Sequence, residues 1–252
     1  MIRQIVLFVI AGCAAHSLAV APGIAGEPDT ADFRYVGRIG PASGVLVGPD
    51  LVLTAKHVGV DSIYLPGFGY FAPIGPGVAH PNADIRLYRI DTRGLKLPFV
   101  PILAGGVAPN TPVTMVGYGL SGILNKSATG YDMILPRGTR RKAAAIIDRT
   151  ELVSFGQFHP GYSLISILRE NGQGALANGD SGGGIFETIG SATFLVGINS
   201  FAALWGKGRP YEFSSSSVDY FGSGSVALGQ YAVWLRSNGA IVVPRPWFPL
   251  KQ

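Results

Sequence analysis

Three residues of this chain have the side chains and the settings to act together on a carbonyl group: His57, Asp84 and Ser181. His57 stands at the exit of the apolar stretch Leu53-Thr54-Ala55-Lys56-His57-Val58. Asp84 immediately precedes the alternating run Ile85-Arg86-Leu87, and Ser181 is enclosed in Asn178-Gly179-Asp180-Ser181-Gly182-Gly183-Gly184. A serine hydroxyl is a weak nucleophile near neutral pH and needs a base to take its proton, and a histidine needs a fixed tautomer to be that base. Each piece alone has a plainer use. A glycine-rich turn serves as an ordinary loop, a histidine at a strand end is commonly a surface or core residue, and an aspartate before a strand is commonly a turn former.

Together the three stretches resemble the Thr-Ala-Ala-His, Asp-Ile-Ala-Leu and Gly-Asp-Ser-Gly-Gly motifs of the chymotrypsin/trypsin family of serine proteases, in that family's order. Order matters, because unrelated hydrolases string the same residues differently. Gly44-Val45-Leu46-Val47 is similar to the family's strand before the histidine, Val116-Gly117-Tyr118-Gly119 to its Gly-Trp-Gly strand end, Val196 to Phe201 to its substrate-binding strand, and Tyr231 to Leu235 to its closing helix. The likeness runs from about residue 35 to 237.

The resemblance implies a serine endopeptidase in which His57 is general base and acid, Asp84 orients it and Ser181 is the nucleophile. It implies an oxyanion hole from the N–H groups of Gly179 and Ser181, and a substrate surface that includes Ala175, Asn178, Ser200, Phe201 and Ala202. Ala175 falls where trypsin-like members carry a pocket carboxylate, which leads to an expected preference for apolar or small residues before the scissile bond. The expected partner is a protein or peptide substrate, with no metal and no cofactor. A catalytically silent binding protein on the same fold is the alternative. An α/β serine esterase is disfavoured by the residue order and by the missing Gly-x-Ser-x-Gly elbow.

Several departures from the family pattern are informative. Members activated by cleavage bury a new N-terminal amine against the aspartate before the catalytic serine, here Asp180. The candidate cut at Arg38-Ile39 would remove the first strand, so no such activation is expected. A buried Asp180 would still need compensation, and Arg140 or Arg141 is the expected source. His57 and Asp84 are 27 residues apart, which leaves little room for loop decoration. Lys56 and Gly184 stand where the family usually has alanine and proline.

Around these residues the local signals are those of strands. Phe33 to Ile39 and Val45 to Val47 read as a hairpin through Gly40-Pro41-Ala42-Ser43. Leu51 to Thr54, Ser62 to Leu65, Tyr70 to Ile74 and Ile85 to Ile90 follow, each bounded by turn residues. Val113 to Gly119 is another strand, and Leu120 to Gly130 reads as a linker. A second series comprises Lys142 to Ile147, Leu164 to Leu168, Gly184 to Glu187 and Phe194 to Ser200. Ser214 to Ser217 with Phe221-Gly222-Ser223-Gly224-Ser225 reads as a flexible loop. Helical spacing occurs only in Leu228 to Ser237, with Gly239 as its stop. The expected fold is therefore all-β: two six-stranded antiparallel barrels of the chymotrypsin type, over 30–120 and 121–252, closed by a C-terminal helix.

Composition agrees with that class. The chain has 252 residues, 47% of them hydrophobic and 14% charged, with 36 glycines and 18 prolines, a mixture suited to short strands and tight turns. The net charge of +5 is spread out apart from Arg137-Gly138-Thr139-Arg140-Arg141-Lys142, which lacks interleaved aromatics, so no nucleic-acid partner is expected. Met1-Ile2-Arg3 followed by the apolar run Ile5 to Ala15 reads as a signal peptide over 1–25, cut after Ala19 or near Ala25. The expected location is secreted or periplasmic, and the mature chain is expected to be a monomer without a transmembrane segment. Ile10-Ala11-Gly12-Cys13 also resembles a lipobox, which would place a lipid anchor on Cys13. Cys13 is the sole cysteine, so no disulfide forms within the chain and packing must hold the fold.

Overall fold

The computed structural model describes residues 27–28, 32–124, 131–155, 158–167, 174–206 and 218–246. A two-residue strand β1 (Glu27–Pro28) precedes β2 (Val36–Ile39), β3 (Ala42–Leu46), β4 (Leu51–Thr54), β5 (Ile63–Leu65), β6 (Gly69–Phe71), β7 (Pro73–Ala79) and β8 (Arg86–Ile90). Strands β2 to β8 pair as an antiparallel seven-stranded sheet in the order β6-β5-β2-β3-β4-β8-β7.

The chain continues through β9 (Ile102–Leu103), β10 (Pro112–Gly117), β11 (Ser121–Leu124), β12 (Tyr131–Leu135), β13 (Arg141–Ile146), β14 (Arg149–Phe155), β15 (Phe158–Ile167), β16 (Gly184–Ile189), β17 (Ala192–Gly206) and β18 (Val218–Ala227). A 3-10 turn over Leu228–Tyr231 leads into α1 (Ala232–Ser237), the one α-helix among the described residues, and β19 (Val242–Val243) follows. β11 and β12 pair only with each other. The rest form a ten-stranded sheet along β1-β13-β10-β16-β17-β18-β15-β14, antiparallel except where β9 touches β17 and β19.

The protein is thus all-β with one short C-terminal helix, as its sequence suggests, though the strands divide as seven and ten instead of six and six. Asn238 and Gly239 close the helix: Gly239 has φ +90°, and its N–H reaches the Arg236 carbonyl at 3.0 Å.

Two expectations are corrected. The stretch read as a linker contains β11, and Phe221 to Ser225 of the stretch read as a flexible loop lies within β18, which runs between β17 and β15. Small residues there are a packing requirement. A Cβ on Gly224 would stand 1.9 Å from Cζ of Phe201, so the far end of the Phe201 ring presses on that backbone. The run Ser214 to Ser217 lies outside the described residues.

Three apolar clusters hold the sheets. One fills the seven-stranded sheet around Ile39, Leu46, Phe71 and Tyr88, and a second fills the ten-stranded sheet around Met115, Ile147, Leu164 and Ile185. The third joins them: Val45, Leu53 and Leu87 of the first meet Val116, Phe186 and Ile198 of the second. Phe33 caps this seam with its ring 4.9 Å from that of Phe186. Burying a side chain of this size contributes about 1.5–3 kcal/mol, so the seam is held strongly without any covalent link.

Candidate active site

β4 is buried along its whole length, Ala55 is buried too, and the chain then turns sharply with the Val58 N–H on the Ala55 carbonyl at 3.1 Å. That turn carries His57 out of the core, leaving its side chain 34% accessible. Asp84 lies at the entry to β8 and is buried. Its Oδ1 accepts the backbone N–H of His57 at 3.0 Å, and its Oδ2 lies 2.7 Å from His57 Nδ1. The Ser200 hydroxyl donates to the same Oδ2 at 2.5 Å. A buried carboxylate held this way makes Nδ1 the protonated nitrogen of a neutral imidazole, which leaves Nε2 with a lone pair.

Lys56, the departure beside the histidine, has a use. Its ammonium donates to the carbonyls of His80 at 3.1 Å and Pro81 at 3.4 Å, fastening the loop that ends in Asp84. His80 packs edge-on against Tyr231 and Trp234. Burial, then the nearby Lys56 charge, lowers its pKa.

Ser181 sits where the second sheet is docked on the first. Its carbonyl accepts the Ser43 N–H at 2.9 Å, and the next amide, of Gly182, donates to the Asn199 carbonyl at 2.8 Å. Gly182 has φ +81°, and a Cβ there would lie 2.1 Å from Thr54 Oγ1 and 2.2 Å from the Ser43 carbonyl. Only glycine permits that conformation at such close range. The serine loop is therefore pressed onto the end of β4, three residues before His57. Among the described residues no hydrogen bond joins Ser181 Oγ to His57 Nε2.

Gly179 has φ +101° and is wedged beside the Pro41 carbonyl and the Gly119 Cα, 2.8 and 2.9 Å from where its Cβ would be. Its carbonyl accepts the Ser43 hydroxyl at 2.9 Å, and that hydroxyl also accepts the Tyr118 N–H at 3.0 Å. The amides of Gly179 and Ser181 donate to no protein group among the described residues.

Asp180 between them is buried. Its Oδ1 accepts the Gly119 N–H and its Oδ2 the Ala177 N–H, both at 2.9 Å. Burial pushes its pKa up to about 7, against the opposing pull of those two amides and of the Arg141 charge. The expectation that Arg140 or Arg141 pairs with it directly is corrected. Arg140 turns to the Tyr118 hydroxyl and the Val36 carbonyl, while Arg141 acts on Asp180 through its field without a hydrogen bond. Gly117 and Gly119 make room for the carboxylate: a Cβ on either would meet it at 2.2 and 2.6 Å.

The remaining candidates are distributed around this centre. Ala175 is buried, next to Leu176, whose N–H donates to the Ser223 hydroxyl at 2.7 Å. Asn178 is exposed at the rim and accepts a hydrogen bond from Arg137 Nη2 on Oδ1. Phe201 is buried and Ala202 half-buried on β17. Ser200, expected on the substrate strand, spends its hydroxyl on Asp84. The pairing slips there: Asn199 faces Ser225 and Phe201 faces Gly224, so Ser200 is the extra residue of a bulge. Bulges re-aim side chains in this way. Asn199 lies beneath, its amide donating to the Val116 carbonyl at 3.2 Å and its carbonyl accepting the Ser225 hydroxyl at 3.3 Å.

Reading the sequence missed Ser43 and the Asp84 contact of Ser200. Ser43 looks like a turn residue, and nothing near it in the chain announces its partners, which come from 75 and 136 residues away. Among the described residues no trio of His, Cys, Asp or Glu is placed to hold a metal ion, and no helix is long and apolar enough to cross a membrane.

No family model matches the sequence, and no curated protein matches it. Solved structures do match. The Rv3671c protease in an inactive form superposes with a TM-score of 0.53 at 19% identity, over 81% of this chain and 88% of that one. A serine-to-alanine mutant of Rv3671c from M. tuberculosis, also in an inactive form, gives 0.53 at 17% identity, over 92% of this chain and all of the other. At such identity the likeness shows the fold, which this chain shares with a protease over 81–92% of its length.

Proposed function

We propose that this chain is a serine endopeptidase that works through His57, Asp84 and Ser181. His57 Nε2 takes the Ser181 proton as Oγ attacks the peptide carbonyl carbon. The N–H groups of Gly179 and Ser181 receive the developing oxyanion, and His57 returns the proton to the departing amine. Water repeats the sequence on the acyl-enzyme and releases the carboxylic acid. Asp84 holds the imidazole and stabilises its protonated state throughout.

The observation that supports this reading most is the Asp84 carboxylate. It is buried, receives His57 Nδ1, the His57 amide and the Ser200 hydroxyl, and so leaves Nε2 as the one free basic nitrogen, beside a serine loop packed on β4. The buried Ala175, with Leu176 beside it, favours apolar or small residues before the scissile bond. Export is part of the same proposal, though it rests on residues 1–25, outside the described ones.

A second reading, a catalytically silent binding protein, is favoured by one observation: Ser181 Oγ and His57 Nε2 are not hydrogen-bonded. Catalytic hydrogen bonds are often long until substrate is bound, so the two readings separate by reactivity. A fluorophosphonate probe should label the wild type and fail on Ser181→Ala and His57→Ala. Equal labelling of Ser181→Ala, or none on a folded wild type, would falsify the enzyme reading.

A further inference from the structure

The two arginines beside the oxyanion loop, Arg137 and Arg38, are the feature that the triad does not use. Arg137 is exposed, and its Cδ lies 3.2 Å from where a Cβ on Gly179 would be. One of its guanidinium nitrogens donates to Asn178 Oδ1. Arg38 lies on the other side of Gly138, its Nη1 3.5 Å from that residue's Cβ position. Arg38 Nη2 donates to the Tyr70 hydroxyl at 2.7 Å, and the guanidinium faces the Tyr64 ring with its centroid 5.9 Å away.

An arginine has five N–H donors, so both guanidinium groups keep donors in reserve. Neither forms an ion pair among the described residues. Asp61 has Oδ2 3.6 Å from the Cβ position of Gly40, and its Oδ1 accepts the Ser62 N–H.

Where a substrate chain must run decides what this pair can touch. The edge of β17 at Ser200 to Ala202 lies on one side of Ser181, and it offers backbone to the acyl half of a peptide. Gly179, two residues before Ser181, is walled by the Pro41 carbonyl and by Arg137. A chain whose carbonyl oxygen points at the Gly179 and Ser181 amides comes up against Arg137 beside Gly179, with Arg38 next along at Gly138.

We propose that Arg137 and Arg38 form a leaving-side subsite that selects substrates with an acidic side chain in the first or second position after the scissile bond. The assignment rests on the peptidase reading and extends it. Arg137 has a second task there, since its hydrogen bond holds Asn178 and so braces the residue next to the oxyanion glycine.

The test uses quenched-fluorescent peptides randomised on the acyl side and carrying Glu, Ala or Lys at the first two leaving-side positions. Rates are normalised to the fluorophosphonate-labelled fraction of each protein. An exposed charge pair is worth up to about fivefold, so the wild type should prefer Glu over Lys by about five- to twentyfold in kcat/KM. Arg137→Lys should keep the preference, Arg137→Ala and Arg38→Ala should each reduce it, and Arg137→Glu should reverse it. Raising the salt should weaken it. A Glu-to-Lys ratio that stays the same in a labelled Arg137→Glu protein overturns the subsite while leaving the peptidase reading intact. A folded wild type that takes no label overturns both.

Discussion

Replacing Ser43 by alanine removes one oxygen and two hydrogen bonds at the point where the sheets meet. The hydroxyl is fully buried, donates to the Gly179 carbonyl at 2.9 Å and accepts the Tyr118 amide at 3.0 Å. Alanine leaves both partners buried without a substitute. An orphaned buried group costs about 1–3 kcal/mol, and carbonyls tolerate neglect better than amides. The combined loss should therefore be about 2–4 kcal/mol, a large share of a stability of about 5–15 kcal/mol. With a urea slope of about 2 kcal/mol/M, the unfolding midpoint should fall by about 1–2 M. Activity should fall further than stability accounts for, because the Gly179–Asp180 peptide between the two oxyanion amides loses the contact that anchors it, and one oxyanion donor is worth about 3 kcal/mol. Urea titration followed by tryptophan fluorescence, with probe labelling in native buffer, measures both. A midpoint shift below about 0.3 M with full labelling would show that Ser43 is not the brace its contacts suggest.

Three further outcomes are expected. Asp84→Asn should keep the fold and lower kcat/KM by about 10⁴-fold, because an amide that donates to Nδ1 selects the wrong tautomer; turnover within tenfold of wild type would contradict that role. Ser200→Ala removes one charge-assisted hydrogen bond, worth about 1.5–3 kcal/mol, and should slow turnover by tenfold or more with KM little changed. Asp180 gives a pH signature whose sign is fixed. Its folded pKa of about 7 lies above its ordinary value of 3.8, so between those limits the native state binds the proton that the unfolded chain has released. Stability must then fall as pH rises from about 4 to about 7. Melting temperatures across that window should decline more steeply for the wild type than for Asp180→Asn, and parallel slopes would refute the shift.

The strands and the three site stretches were legible because each is local. Alternation marks β4 and β8, turn residues mark their ends, and His57, Asp84 and Ser181 each sit in a short pattern of their own. The 3.6-residue spacing of Leu228, Tyr231 and Leu235 likewise marks the 3-10 turn and the α-helix that follows it. What escaped depends on partners far along the chain. Phe221 to Ser225 looks like a loop because glycine and serine favour loops, yet β18 needs those small residues to pass under the Phe201 ring. Ser200 reads as one more strand residue, since a bulge leaves no mark in composition. Arg140 and Arg141 are adjacent, and only the geometry shows one turned to Tyr118 and the other left to act on Asp180 at a distance.

The Asp84 carboxylate joins contributions that are made far apart in time as well as in sequence. His57 and Asp84 belong to the part of the chain synthesised first, whereas Ser200 comes from β17, 116 residues after Asp84. Under the proposed mechanism, an incomplete or clipped chain could assemble the histidine and its carboxylate but would lack both the hydroxyl that steadies them and the serine they activate. The proposed activity would therefore be absent until the second sheet has closed on the first. On that proposal, the mating of the sheets is the step that assembles the site.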